Sequence, residues 1–416
     1  MLDIQFIHDN PELVQQKSEQ KGYKNVDVAA LLELDGERRT RITQIDELRA
    51  RRNSLAAEMK TTGPTEEQIT AGKQLKQELA TLETDLGLIE DKYSAVLVGI
   101  PNIASDDVPL GGEEDSIEIK ALGEQTTGAR DHLDYAVERD WVDFERGAKV
   151  AGQKFYFLKG DLALLENAIT QFALNFIVAK GFTFMTVPHM VNGRVVSGTG
   201  FAPRSDAQSD EYFIENEDLS LIATAEMSLT GYHADEIIDE AKLPLLYAGL
   251  SPCYRKEAGA AGKHTRGLFR VHQFNKLEMY VFTTPEQSVA MHERIHAIEE
   301  EVWQALDIPY RVINIASGDL GAPASKKYDL EYWSPVDNMY RELTSASNCT
   351  DFQARNLNIR VRRTESSKVE TLHTLNGTAV SLERSLVAIL EHYQNPDGTL
   401  RVPTVLQPYL SGREIL

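Results

Sequence analysis

Residues 251–280, SPCYRKEAGAAGKHTRGLFRVHQFNKLEMY, constrain the fold more than any other stretch. Gly259, Gly262 and Gly267 crowd the middle among Ala, Lys, His and Arg. Glycines this dense carry too much backbone entropy for a packed element, so residues 258–267 read as a loop. Residues 268–281 alternate: Phe269, Val271, Gln273 and Asn275 on one side, Arg270, His272, Phe274 and Lys276 on the other. That period marks a strand. Residues 248–257 supply the other arm and end in Arg255, Lys256 and Glu257. The hairpin can bring Arg255 and Glu278 to one face. An arginine there can grip a phosphate or carboxylate through paired hydrogen bonds, and Phe274 offers a flat apolar face to a base. A surface hairpin with solvated charges and a core phenylalanine satisfies the same spacing.

A chain of 416 residues is long enough for two domains and a large buried core. Its two cysteines, Cys253 and Cys349, lie far apart in sequence. That argues against a disulfide framework and a local zinc cluster, and fits a reducing, cytoplasmic compartment. The first residues, MLDIQFIHDNPELVQQK, lack a basic run followed by an apolar one, so no secretory signal is expected. No apolar run is expected to span a bilayer. The net charge of −21 means that any nucleic-acid contact must rest on a local concentration of Lys and Arg.

Asn10, Pro11 and Glu12 have the chemistry of a helix start, and Gly22 that of its end. A second helix is expected from Asp27 to about Lys60, a break at residues 61–64, and a third helix from about Glu66 to Leu97. In the third, Leu75, Leu79, Leu82, Leu86, Ile89, Tyr93 and Val96 alternate steps of four and three, a heptad seam. Ile45, Leu48, Leu55 and Met59 provide the facing stripe, interrupted by Arg38 and Arg52. The pair is expected to fold back as an antiparallel coiled coil over residues 1–98. Arg38, Arg39, Arg41, Arg49, Arg51 and Arg52 make the second helix the basic patch of the chain, although solvated flanks of a coiled coil carry such charges too. Residues 99–115, rich in Pro, Gly and Asp, read as a linker to a domain at 116–416.

In that domain Asp161 can cap a helix bearing Leu162, Leu165, Ile169, Phe172 and Phe176, closed by Gly181 and followed by a strand ending at Pro188. Thr224-Ala225-Glu226 has the form of a helix N-terminus with a threonine cap. Residues 288–306 read as an amphipathic helix and 310–315 as a strand. Residues 340–355 are unusually polar for a strand, and 374–384 run into a helix at 385–393.

The runs C-x-R-x-E-A-G-x-A-G, T-R-G-L-x-R and H-Q-F-x-K-x-E-M within residues 253–279 resemble motif 2 of class II aminoacyl-tRNA synthetases, in the form of the seryl-tRNA synthetases. The likeness extends along the chain. The helix and strand at 161–188 resemble motif 1, which builds a two-fold dimer interface in that class. Thr224-Ala225-Glu226 matches a TxE signature, residues 317–333 match T-G-D-L-G…K-x-Y-D-L-E-x-W, and residues 374–384 resemble motif 3. The resemblance implies an α+β fold: a two-helix coiled-coil arm that grips the extended variable arm of tRNA, and an antiparallel catalytic sheet flanked by helices. It implies ATP-dependent joining of L-serine to tRNA(Ser), with tRNA(Sec) a further candidate, by a cytoplasmic homodimer.

By the same resemblance, Arg255, Glu278 and Arg384 carry the catalysis. Arg255, Lys256, Glu257, Val271, Phe274, Glu342, Leu343, Thr344, Ser345 and Arg384 bind ATP, with Phe274 under the adenine and Arg384 on the γ-phosphate. Thr224, Ala225, Glu226, Arg255, Glu278 and Thr378 take the serine. Glu342 and Ser345 hold Mg²⁺, which prefers few carboxylates plus phosphate oxygens; no zinc is implied. Lys263, His264 and Arg266 in the hairpin loop face the acceptor end of the tRNA. Thr378, Glu383, Ala346 and Asn356 stand where many family members have Ser, Gly, Cys and Arg. Glu383 sets a carboxylate beside the arginine meant for phosphate, so it must point away or be paired. A truncated relative that loads a carrier protein would lack residues 27–97, and a degenerate binding module would be expected to lose Arg255, Glu278, Glu342 or Arg384.

Overall fold

A computed structural model describes residues 1–201, 211–257 and 266–416. Gly259, Gly262, Lys263 and His264 of the hairpin loop lie outside the described residues. The chain divides into two compact units, Met1–Glu19 with Tyr23–Pro101, and Gln20–Gly22 with Asn102–Leu416.

The first unit is helical: α1 (Ile4–Asp9), α2 (Pro11–Gln20), α3 (Val28–Thr62) and α4 (Glu66–Val98). The short α1 was not expected; Asp3 caps it by accepting the Gln5 N–H at 2.7 Å. Asp27 caps α3 through the Ala30 N–H at 2.9 Å. Thr65 and Gln68 close a reciprocal capping box at the start of α4. The two long helices run antiparallel, since Arg38 meets Glu90, Arg49 meets Glu83, and Leu55 meets Gly72. Ile45, Leu48, Leu75 and Leu79 form the buried seam, with Leu55, Leu82 and Leu86 half-buried beside it. Arg38, which breaks the apolar stripe, lays its guanidinium 5.2 Å from the centre of the Tyr93 ring.

Among the described residues of the second unit, eight strands form one sheet. They are β1 (Ile117–Leu122), β2 (Thr183–Thr186), β3 (Leu245–Tyr254), β4 (Gln273–Thr283), β5 (Tyr310–Asn314), β6 (Lys326–Ser334), β7 (Met339–Thr350) and β8 (His373–Ser381). Their order is β1-β5-β6-β7-β8-β4-β3-β2. All neighbours are antiparallel except β2, which runs parallel to β3 at one edge. Four helices matter for the site: α5 (Gly160–Ala179), α6 (Ala225–Gly231), α7 (Ser288–Ala305) and α8 (Leu382–His392). α7 packs on one face of the sheet, so closely that a Cβ on Gly377 would lie 2.2 Å from Ile295 Cγ2. α6 packs on the other, where a Cβ on Gly249 would lie 3.1 Å from the Ala225 Cβ.

Three local expectations need correction. Asp161 is not a cap: α5 starts one residue earlier, after Lys159, and Asp161 pairs with Arg413 at 2.6 and 2.9 Å. α5 is also long and apolar enough, by length and composition, to cross a bilayer; in the fold its Leu162, Leu165, Ile169, Ala173 and Ile177 are buried in the core of the unit. The second arm of the hairpin begins at Gln273 rather than Leu268. Gly267, at φ 64°, opens a tight turn over Gly267–Phe269 instead, and the Phe269 ring is stacked by the guanidiniums of Arg341 and Arg384 at 5.2 and 4.9 Å.

Candidate active site

Residues directly opposite in neighbouring strands present their side chains on the same face. Glu278 of β4 is opposite Thr378 of β8 and Gly249 of β3. Asn376 of β8 is opposite Ser347 of β7, which is opposite Lys327 of β6; Asp329 and Ser345 are opposite each other, and so are Glu331 and Glu342. Phe274 and Lys276 share the parity of Glu278 along β4. All of these groups therefore occupy the face that carries α6, away from α7.

Two bulges make this possible. The β6–β7 ladder shifts at Leu330/Glu331, so that Leu343 is an extra residue on β7. Strict alternation would put Glu342 and Ser345 on opposite faces; the bulge turns both to the same one. The predicted pair Leu343 and Thr344 goes elsewhere: Leu343 is buried in the core, and Thr344 Oγ1 donates to Glu299 Oε2 of α7 at 3.1 Å. Their side chains do not join the site face. The β4–β8 ladder shifts likewise between Thr378 and Val380.

At one end of the face, the Arg255 guanidinium stands 5.1 Å from the centre of the Phe274 ring, and its Nε donates to the Ala223 carbonyl at 3.3 Å. Arg384 Nη1 donates to the Glu342 carbonyl at 3.1 Å and meets the Glu342 carboxylate at 3.0 Å. Burial works against the charge on Glu342, but Arg384, Lys327 and Arg255 together hold its pKa down at about 2. The two distant arginines thus act on one carboxylate. The Glu342 side chain is 45% exposed. Lys327 lies 3.2 Å from Asp329. Burial pushes Asp329 up, to about 7, against the pull of this lysine.

At the other end, Thr224 caps α6 by accepting the Glu226 N–H at 3.2 Å, and Ala225 is buried. Glu226 is 7% exposed; its Oε1 accepts from Gln353 Nε2 at 2.7 Å and from Asn376 Nδ2 at 2.9 Å. Burial, and then the charge of Glu278, raise its pKa to about 7. Glu278 Oε2 meets Lys276 Nζ at 2.6 Å and the Thr378 hydroxyl at 3.4 Å. Arg255 also acts on Glu226, so it links the two ends.

The remaining predicted residues lie around this face. Glu257 pairs with Arg270. Val271 is buried. The Lys256 ammonium lies 5.7 and 5.6 Å from the centres of the Tyr212 and Phe213 rings, and Arg266 pairs with Asp134 at 2.6 Å. Sequence reasoning passed over Arg270, Lys276, Lys327, Gln353 and Asn376. The period-two relation of Lys276 to Glu278 was a usable signal; nothing in the sequence linked Gln353 to Glu226. Glu383 is paired: its carboxylate accepts from the Asn275 N–H and the Tyr156 hydroxyl, and burial pushes it up to about 8.

The tRNA synthetase class II core domain (G, H, P, S and T) matches residues 210–393, and the seryl-tRNA synthetase N-terminal domain matches residues 1–104. The serine–tRNA ligase of Dictyoglomus thermophilum is 46% identical over 100% of this chain and 99% of its own length. That of Treponema denticola is 43% identical over 98% of each. Among solved structures, seryl-tRNA synthetase from Pyrococcus horikoshii complexed with ATP superposes with a TM-score of 0.91 at 41% identity, covering 100% of this chain and 99% of that one. The cytoplasmic serine–tRNA ligase from Naegleria fowleri in complex with AMP gives 0.82 at 32% identity, covering 98% and 95%. Likeness of this extent, spanning both the helical unit and the sheet that gathers Arg255, Glu278, Glu342 and Arg384, makes the chain a member of the seryl-tRNA synthetase family.

Proposed function

We propose that the sheet face described above activates L-serine with ATP and then passes it to the 3′ end of tRNA(Ser). The chain is a serine–tRNA ligase, an ATP-dependent aminoacyl-tRNA synthetase. The observation that carries the assignment of residues is that one end of the face holds Arg384 at 3.0 Å from the Glu342 carboxylate and Arg255 at 5.1 Å from the centre of the Phe274 ring.

In the first step the serine carboxylate attacks the α-phosphorus of ATP, and the bond to the bridging oxygen breaks to release pyrophosphate. The nucleophile is already ionised, so the site needs no general base; it supplies position and charge. Arg255 bridges the serine carboxylate and the α-phosphate, Phe274 stacks on the adenine, and Arg384 steadies the departing pyrophosphate. Lys256, Glu257, Val271 and the backbone of Leu343 and Thr344 border the nucleotide. Glu342 and Ser345, on one face because of the bulge, suit a Mg²⁺ ion held mainly by phosphate oxygens and water. Bound there, the ion offsets phosphate charge. In the second step a hydroxyl of the terminal adenosine attacks the serine carbonyl and AMP leaves.

Thr224, Ala225 and Glu226 face the amino acid, with Glu226 as the partner of its ammonium group. Glu278 and Thr378 bond the serine hydroxyl. Alanine makes neither bond, a larger penalty in a buried polar site than losing a methylene contact.

The arm at residues 1–98, joined through a linker at 99–115 to the catalytic domain at 116–416, grips the tRNA. Exposed Arg51 and Arg52 on α3 support this, while Arg39 and Arg49 are engaged by Asp35 and Glu83. Exposed Leu164 and Val178 of α5 and Phe184 of the edge strand β2 support a homodimer through motif 1. Both free cysteines are buried, in keeping with work in the cytoplasm.

A serine-dependent ATP–pyrophosphate exchange assay, with threonine, alanine and glycine as controls, tests the first step, and aminoacylation of tRNA(Ser) and tRNA(Sec) tests the second. Exchange that is indifferent to serine, or that survives in R384A at the wild-type rate, rejects it.

A further inference from the structure

β8 ends at Ser381, opposite Lys276 of β4, and the chain turns there into α8. Asn275 is therefore one residue past the last β8 pair, with Pro252 opposite it on β3. Its N–H faces a partly buried gap in the ladder, where an unpaired donor costs free energy. Glu383 fills the gap. Its Oε1 and Oε2 accept the Asn275 N–H at 3.0 and 2.9 Å, so a side chain continues the ladder where the strand stops. The Tyr156 hydroxyl donates to the same Oε1. Asn275 Nδ2 in turn donates to Glu166 Oε1 of α5 at 3.0 Å. Glu383 is 1% exposed.

We propose that Glu383 is a positioning residue for the ATP site. Its neighbour in the chain is Arg384, and the residue it bonds is the neighbour of Phe274. It thereby ties the first turn of α8 to β4 and sets the distance between the ring that stacks on the base and the guanidinium that meets the terminal phosphate. A nucleotide held at both ends senses that distance, whereas serine, bound between Glu226 and Glu278, does not. A glycine at this position could not make the tie. The proposal rests on the assignment of Phe274 and Arg384 to the nucleotide.

The test is steady-state pyrophosphate exchange by E383A, E383Q, Y156F and R384A, with thermal melts of each. E383A is expected to raise the KM for ATP about tenfold while moving the KM for serine less than about twofold. E383Q still offers Asn275 an amide oxygen and is expected to return the KM for ATP to within about twofold of wild type. An unchanged KM for ATP in E383A, equal rises in both KM values, or no rescue by E383Q overturns the proposal. Should E383A not fold, Y156F decides: a rise of about threefold in the KM for ATP supports the tie, and an unchanged value overturns it. An inactive R384A beside an unaltered E383A rejects the positioning role alone; an active R384A rejects the nucleotide assignment beneath it.

Discussion

Glu342 and Ser345 stand on the same face of β7 although their spacing in sequence belongs to opposite faces, because the bulge at Leu343 shifts the ladder between them. The carboxylate and the hydroxyl are thereby aimed together at the place where the phosphates and their metal are expected.

E342Q should lower the exchange rate by about 10²–10³-fold, the scale on which one well-placed electrostatic partner contributes to a transition state. The Mg²⁺ concentration for half-maximal rate should rise with it. S345A, which removes a neutral donor, should cost about tenfold or less. Titrating Mg²⁺ at fixed ATP checks both; an E342Q enzyme with the wild-type Mg²⁺ profile contradicts the metal assignment.

E278Q should raise the KM for serine about 10²-fold and shrink the preference for serine over alanine, because the neutral amide is a weaker acceptor for the substrate hydroxyl and leaves the buried Lys276 without the opposite charge it meets at 2.6 Å. Exchange rates measured across serine and alanine concentrations decide this. Retention of full discrimination would move the hydroxyl pocket elsewhere.

Glu226 should make serine binding pH-dependent. Its pKa lies near 7 in the free protein because of burial and the charge of Glu278. In the proposed site the ammonium of serine pairs with the ionised form, so a proton must leave before serine is well held. The KM for serine should therefore be flat above pH 7 and rise below it, by roughly tenfold per pH unit. In E226Q the slope should vanish and binding should be weak throughout. A wild-type KM that is level from pH 6 to 8 removes Glu226 from this role.

G377A should destabilise the catalytic unit without touching any proposed contact to substrate. The added methyl would sit 2.2 Å from Ile295 Cγ2 and 2.9 Å from Glu299 Oε1, forcing α7 outward. Overpacking of this kind costs about 1–3 kcal/mol, roughly 2–8 °C in melting temperature. Differential scanning calorimetry measures the shift, and exchange at low temperature should keep near-normal KM values.

Much of the architecture was legible in the chain. Heptad spacing announced the paired helices of the arm; in the structure Asp27 and the Thr65–Gln68 box cap their first turns. The glycine-rich hairpin announced the strands that became β3 and β4. Local rules failed where long-range partners intervened. Asp161 had the chemistry of a cap, but Arg413 took its carboxylate. Leu268 and Phe269 alternated like strand residues, but a glycine turn and two guanidiniums claimed them.

The order of helices and strands, the motif residues and their chemical types were determined by the sequence itself, because hydrophobic period, caps and turn residues act between near neighbours. Which side chains share a face was decided only by tertiary structure. A single extra residue in a ladder reverses the parity of everything after it, and whether a strand bulges depends on the strand beside it. The partner of Glu383 was settled in the same way: a partly buried N–H on a distant strand needed an acceptor, and that need exists only once β4 and α8 have met.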